Sequence, residues 1–153
     1  MCLTFAAMDF FDPAIWGLFL NSFLAATVLP VGSEPYLAGL ILTDYPPIQC
    51  LVYASIGNTL GGITSFYFGR LGKWDWIEKY LKIKREKVES FSARVNRFGI
   101  WTALLTWLPF IGDPIAVALG FFRVKAIPVF ILMFIGKTLR YAGLIYLVLQ
   151  SAS

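Results

Sequence analysis

Apolar residues dominate six stretches of this chain, and the stretches are unequal. They cover Ala14 to Leu29, Tyr36 to Leu42, Ile48 to Gly69, Gly99 to Leu108, Ile115 to Phe122 and Ile127 to Leu149. At 1.5 Å per residue, Ile48 to Gly69 reaches roughly 33 Å and Ile127 to Leu149 roughly 35 Å, against a hydrocarbon core of about 30 Å. These two predict transmembrane helices. The other runs come in pairs around a break, Pro30-Val31-Gly32-Ser33-Glu34-Pro35 and Pro109-Phe110-Ile111-Gly112-Asp113-Pro114. Gly99 to Leu108 and Ile115 to Phe122 reach only about 15 and 12 Å, so neither crosses alone. With Pro30, Pro35, Pro109 and Pro114 as the breaks, each pair predicts a re-entrant helical hairpin that enters the membrane and returns. Ala14 to Leu29, at about 24 Å, could also cross a thinned bilayer, which would move the amino terminus to the other side.

Composition fixes the class. Of 153 residues 58% are hydrophobic and 14% charged, against about 25% charged in a soluble domain. The expectation is an all-α polytopic membrane protein, a single membrane domain over residues 1–153. Lys and Arg are absent before Arg70, and no small-residue cleavage pattern follows the first run, so that run reads as mature structure rather than a signal peptide. Nine of the 13 basic residues lie between 70 and 97, which places that segment in the cytoplasm. Within it, Trp74, Ile77, Leu81, Val88, Phe91, Val95 and Phe98 recur at helical spacing among charges, as in an amphipathic helix lying on a leaflet. A re-entrant second hairpin keeps Arg123 and Lys125 on that same side. The net charge of +4 then suits an anionic membrane surface rather than nucleic acid.

Sliding the sequence on itself by 79 residues, without a gap, superposes Leu29-Pro30 on Leu108-Pro109, Glu34-Pro35 on Asp113-Pro114, Gly57 on Gly136, Thr59-Leu60 on Thr138-Leu139 and Tyr67 on Tyr146. The chain therefore reads as two copies of a hairpin followed by a spanning helix. Repeat one covers about 14–70 and repeat two about 98–149, with the amphipathic connection at about 71–97. One crossing per copy turns the second upside down. Such inverted repeats place transporter sites where the broken segments meet.

The polar residues inside these segments are few. Glu34 and Asp113 occupy equivalent places in the two breaks, and an ionised, unpaired carboxylate at membrane depth is costly. Such acids must be protonated, paired or hydrated, which suits proton or ion coupling; the alternative is that they only cap the half-helices behind them. Lys137 and Arg140 share one face of the last helix, about three turns in from Arg123 and Lys125. They can serve a phosphate headgroup or the two acids, or snorkel to an interface. Asn58 is the repeat counterpart of Lys137 and can join the site or bond across helices. Gly57 and Gly61 have the spacing of a close helix contact. With no His and only Cys2 and Cys50, no metal site or cofactor is expected, and no catalytic motif is present. The two acids do not match the motifs of an intramembrane aspartyl protease.

Leu29-Pro30, Ser33-Glu34, Gly57-Asn58, Leu60-Gly61-Gly62, Gly69-Arg70, Gly112-Asp113, Gly136-Lys137 and Leu139-Arg140-Tyr141 together resemble the DedA family of membrane proteins (the VTT-domain type), closest to its short YqaA-type branch. The resemblance runs from about residue 20 to residue 148. It implies two re-entrant hairpins facing each other inside a helical shell, in a bacterial cytoplasmic (inner) membrane. It also implies proton-motive-force-dependent transport of lipids such as undecaprenyl phosphate or phospholipids. Glu34 matches the family's first-hairpin acid and Arg70 its Gly-Arg motif. The second hairpin departs: larger members carry arginines around its proline, whereas here Trp107 and Phe110 flank Leu108-Pro109 and the acid is Asp113. Lys137 and Arg140 can replace that charge from the neighbouring helix. The expected function is translocation or scrambling of a lipid with an anionic headgroup, with Arg140, Lys137, Asn58 and Arg70 binding the headgroup. The alternatives are a proton-coupled carrier of a small cation or metal ion, and a scaffold whose embedded charges only pair with one another. A homo-oligomer is compatible with all three.

Overall fold

The computed structural model describes residues 12–27, 32–72, 101, 103–108 and 112–151. Every regular element among them is helical: α1 Pro13–Ala25, α2 Glu34–Leu42, α3 Pro47–Leu71, a 3-10 turn at Ala103–Trp107, α4 Gly112–Phe121 and α5 Ala126–Ser151. The amphipathic connection lies outside the described residues, as do Pro30 and Pro109.

Local chemistry sets the boundaries. Asp12 caps α1, its Oδ1 accepting from the Ala14 amide at 2.8 Å, and Pro13 starts the helix where its missing N–H costs nothing. Pro35 and Pro47 do the same for α2 and α3. Pro114 stands in the first turn of α4. The described break prolines thus begin helices rather than interrupt them. The Thr43 hydroxyl ends α2 by bonding back to Gly39 and Leu40 carbonyls at 3.0 Å.

The turns after α2 and α4 are built alike. Among the described residues, Asp44 (φ 62°) and Arg123 (φ 53°) are the non-glycine residues with left-handed backbone, and they stand 79 residues apart. The amides of Thr43, Asp44 and Tyr45 bond to the carbonyls of Gly39, Ile41 and Leu40. Shifted by 79, these become the bonds of Phe122, Arg123 and Val124 to Ala118, Gly120 and Leu119. Helix bounds follow the same register: 34–42 falls on 113–121 and 47–71 on 126–150, against α4 at Gly112–Phe121 and α5 at Ala126–Ser151.

Helices α3 and α5 are the long elements, of 25 and 26 residues, about 38 Å each. Their two ends are buried in two cores. Cys50 and Ala54 near the start of α3 pack with Tyr141 and Ile145 late in α5, together with Ile15, Leu18, Leu37, Leu40 and Ile41. Phe66 near the end of α3 packs with Val129 and Met133 early in α5, together with Ala103, Ala116, Leu119 and Val124. The two helices are therefore antiparallel. The cores also correspond through the 79-residue shift, Leu37 with Ala116, Leu40 with Leu119, Cys50 with Val129, Ala54 with Met133 and Phe66 with Ile145.

Helix α1 and the 3-10 turn each pack on the long helix of their own half, α3 and α5 respectively, whereas α2 packs on α5 and α4 on α3. Glycines allow this interlocking. A Cβ on Gly57 or Gly61 would run into the Phe19 or Phe23 carbonyl of α1, and Gly69 and Gly120 bring α3 and α4 equally close.

Two expectations are met only in part. Among the described residues, one helix, Ala126–Ser151, is both long and apolar enough to span a membrane. Helix α3 has the length but not the apolar composition, because it spends its buried face on Ser55, Gly57, Asn58, Thr59, Gly61, Gly62 and Ser65. The first expected arm is also shorter: it is helical for 13 residues and ends at Ala25 rather than Leu29. In the stretch expected as Gly99 to Leu108, the described residues are Trp101, which is helical, and 103–108, which include a 3-10 turn at Ala103–Trp107.

Candidate functional site

The first turns of α2 and α4 and the middle of α5 bring the embedded charges together over α3. Ser33 occupies the N-cap position of α2 and Glu34 its first turn; Asp113 lies in the first turn of α4. The acids are therefore not the capping residues, although a carboxylate there is favoured by the helix dipole. Their partners come from side chains of α5. Arg140 Nη2 lies 3.1 Å from Glu34 Oε1, and Lys137 Nζ lies 3.2 Å from Asp113 Oδ1. Two carboxylates and two cations thus meet in a neutral cluster, which lowers the cost of taking charge out of water.

The pairs differ in burial. The Lys137 side chain is 1% exposed against 31% for Asp113, and Arg140 is 17% exposed against 33% for Glu34. Lys137 Nζ also donates to the Asn58 main-chain carbonyl at 2.9 Å. These two residues are repeat counterparts, so the structure brings equivalent points of α3 and α5 into contact. Around Arg140, the Tyr141 ring lies with its centroid 5.0 Å from the guanidinium carbon, within cation–π range. The fully buried Tyr141 hydroxyl shares a 2.6 Å hydrogen bond with the buried Ser33 hydroxyl.

Two other expected residues are placed differently. The buried Asn58 side chain donates to the Ser22 carbonyl of α1 at 3.1 Å, so it ties helices together while only its carbonyl reaches the cluster. Arg70 is exposed in the last turn of α3, about 18 Å along the helix from Asn58. It stands apart from the four charges. Sequence reasoning missed the Ser33–Tyr141 bond. The available signal was adjacency: Ser33 precedes Glu34 as Tyr141 follows Arg140, so a Glu34–Arg140 pair carries their neighbours toward each other.

Chemically, the cluster offers two carboxylates that can take protons and two cations that can hold an oxyanion once released. Among the described residues, no group of three or more His, Cys, Asp or Glu is arranged to hold a metal ion.

Comparison with known proteins fits this picture. The inner membrane protein YqaA of Escherichia coli is 33% identical over 131 residues, covering 85% of this chain and 87% of that protein. The inner membrane protein YqaA of Shigella flexneri gives the same figures. An uncharacterized protein of Haemophilus influenzae is 28% identical over 153 residues, with 94% of each chain covered. No solved structure matches. The VTT domain matches residues 29–150, which include all four embedded charges. With that match over most of its length, the chain belongs to the VTT-domain (DedA) family of membrane proteins, and its place is a bacterial inner membrane.

Proposed function

We propose that this protein is an inverted-repeat transporter that moves or scrambles a lipid with an anionic, phosphate-bearing headgroup, coupled to protons. The observation that carries the reading is the neutral four-charge cluster of Glu34, Asp113, Lys137 and Arg140, held where α2 and α4 meet α5. Charge at this depth is expensive and is ordinarily kept for function. The antiparallel α3 and α5 and the exchangeable cores support inversion. In this reading α2 and α4 are the returning arms of re-entrant hairpins, α3 and α5 both cross, and residues 70–97 face the cytoplasm.

Protonation of a carboxylate weakens its hold on its cation, and the freed cation can take a phosphate oxygen. Loss of the proton restores the ion pair and expels the headgroup. Proton and headgroup thus compete through one set of contacts, which is the coupling a driven lipid carrier needs. The amphipathic connection would anchor the cytoplasmic side to anionic lipid.

Leaflet exchange in proteoliposomes tests this. A fluorescent phospholipid and a fluorescent polyprenyl phosphate are followed with wild type and with the double variant Glu34→Gln, Asp113→Asn. The expected result is exchange by the wild type that the variant slows by about tenfold or more, a barrier rise of roughly 1.4 kcal/mol. Absence of lipid exchange by folded wild type, with cation flux that depends on both acids, would replace this reading with an ion carrier. Absence of both would leave a scaffold.

A further inference from the structure

The two ion pairs are not equivalent, and the internal repeat locates the difference. Under the 79-residue shift Glu34 corresponds to Asp113, but Arg140 corresponds to Gly61 and Tyr141 to Gly62. Helix α2 therefore finds both its partners on the opposite long helix, Arg140 for Glu34 and Tyr141 for Ser33. Helix α4 packs on α3 in the corresponding way, yet α3 presents glycines at the matching places. Met133 and Lys137 share that vacancy from α5. Met133 Sδ lies 2.5 Å and Lys137 Nζ 3.0 Å from the position a Cβ on Gly62 would occupy, in the space that the counterpart of Tyr141 would claim.

Among the described residues, the polar contacts of Lys137 are internal. Two of the three ammonium donors are spent on the Asn58 carbonyl and on Asp113, and the side chain is buried. The Arg140 guanidinium keeps some exposure beside the more open Glu34, and its planar fork of five donors matches phosphate oxygens. We infer that Lys137 is a positioning residue, a crossed-over counter-charge that latches α4 to α3 and α5 without touching cargo, and that Arg140 alone is the cation that receives the headgroup phosphate. The second half rests on the proposed lipid transport; the latch does not.

Melting of the purified full-length protein in detergent separates these roles. Lys137→Met leaves the half-buried Asp113 without its ion-pair partner and is expected to lower the melting temperature by about 5 °C. Adding Asp113→Asn removes the stranded charge and is expected to recover at least half of that loss. Should the single variant fail to fold, the double variant is expected to yield folded protein. A double variant no more stable than Lys137→Met overturns the latch.

The headgroup half uses dioctanoyl phosphatidic acid, with dioctanoylglycerol as the phosphate-free control. Phosphatidic acid is expected to raise the melting temperature of wild type and of Lys137→Met, Asp113→Asn alike, and not that of Arg140→Gln, Glu34→Gln. Loss of the shift in the folded Lys137–Asp113 double variant, with retention in the Arg140–Glu34 one, reverses the assignment. If phosphatidic acid leaves even wild type unshifted, the phosphate reading of the proposed function falls, while the melting series still decides the latch.

Discussion

At the scale of single residues, Tyr141 shows how one side chain can serve two partners beside the embedded charges. Its ring lies beside Arg140 while its hydroxyl holds Ser33, so one side chain fixes both the cation and the start of α2. Tyr141→Phe keeps the ring and removes the bond, leaving a buried Ser33 hydroxyl without its partner. We expect a loss of about 1 kcal/mol, in the range of interhelical hydrogen bonds measured in membranes, read by thermal melting in detergent. Because the ring remains, Arg140 should keep its place, and a loss several times larger would mean that the hydroxyl orders more of the site than Ser33. Arg123 makes a different case. A non-glycine residue in left-handed backbone costs about 1–2 kcal/mol, and Arg lacks the short polar side chain with which Asp44 tolerates the equivalent turn. Arg123→Gly should therefore raise the melting temperature, whereas Asp44→Gly should change it less.

At the scale of elements, α3 explains both what the sequence disclosed and what it concealed. Its 25 residues follow the apolar run from Ile48 to Gly69 closely, since a long run between Pro46-Pro47 and Gly72 has few other ways to satisfy its backbone. Its role was harder to read, because glycines at buried and open positions look identical in a sequence. Gly57, Gly61 and Gly69 lie against the backbones of α1 or α4, whereas Gly39 of α2 and Gly143 of α5 have nothing among the described residues within 4 Å of an added Cβ. Ala at 57, 61 or 69 should each cost about 1–3 kcal/mol through overpacking. Ala at 39 or 143 should instead stabilise by roughly 0.5–1 kcal/mol through reduced backbone entropy. Opposite signs from one substitution type, measured by melting on a single preparation, would establish α3 as the element both halves are packed upon. Destabilisation at 39 or 143 would mean that these positions meet a partner outside the described residues. The short arms were less legible for a related reason: α1 stops at Ala25, four residues before its apolar run ends, because hydropathy reports the surroundings of a segment and not its backbone bonding.

At the scale of the whole molecule, the 79-residue register carried the most information. Matches such as Glu34 with Asp113 and Asn58 with Lys137 could be read from the chain, and they anticipate turns, helix bounds and cores that recur in step. The partners of the acids could not be read this way, because a true two-fold would have paired Asp113 with Gly61. The asymmetry lies in side chains laid over turns and helix bounds that recur 79 residues apart, so only the folded arrangement reveals Lys137 crossing to the other half. Symmetry of this kind makes a claim about sidedness. If α3 and α5 cross the membrane antiparallel, the turn at Asp44 and the turn at Arg123 face opposite aqueous compartments. The positive-inside rule assigns Arg123 to the cytoplasm, since Lys125 and the basic stretch from Arg70 to Arg97 lie on the same side in the inverted arrangement. Single cysteines at 44 and at 123, in a chain carrying Cys2→Ser and Cys50→Ala, test this with a membrane-impermeant maleimide. Cysteine at 44 should label in intact spheroplasts, and cysteine at 123 only in inverted vesicles. Labelling of both from one side would remove the inversion, and with it the proposed inverted-repeat carrier.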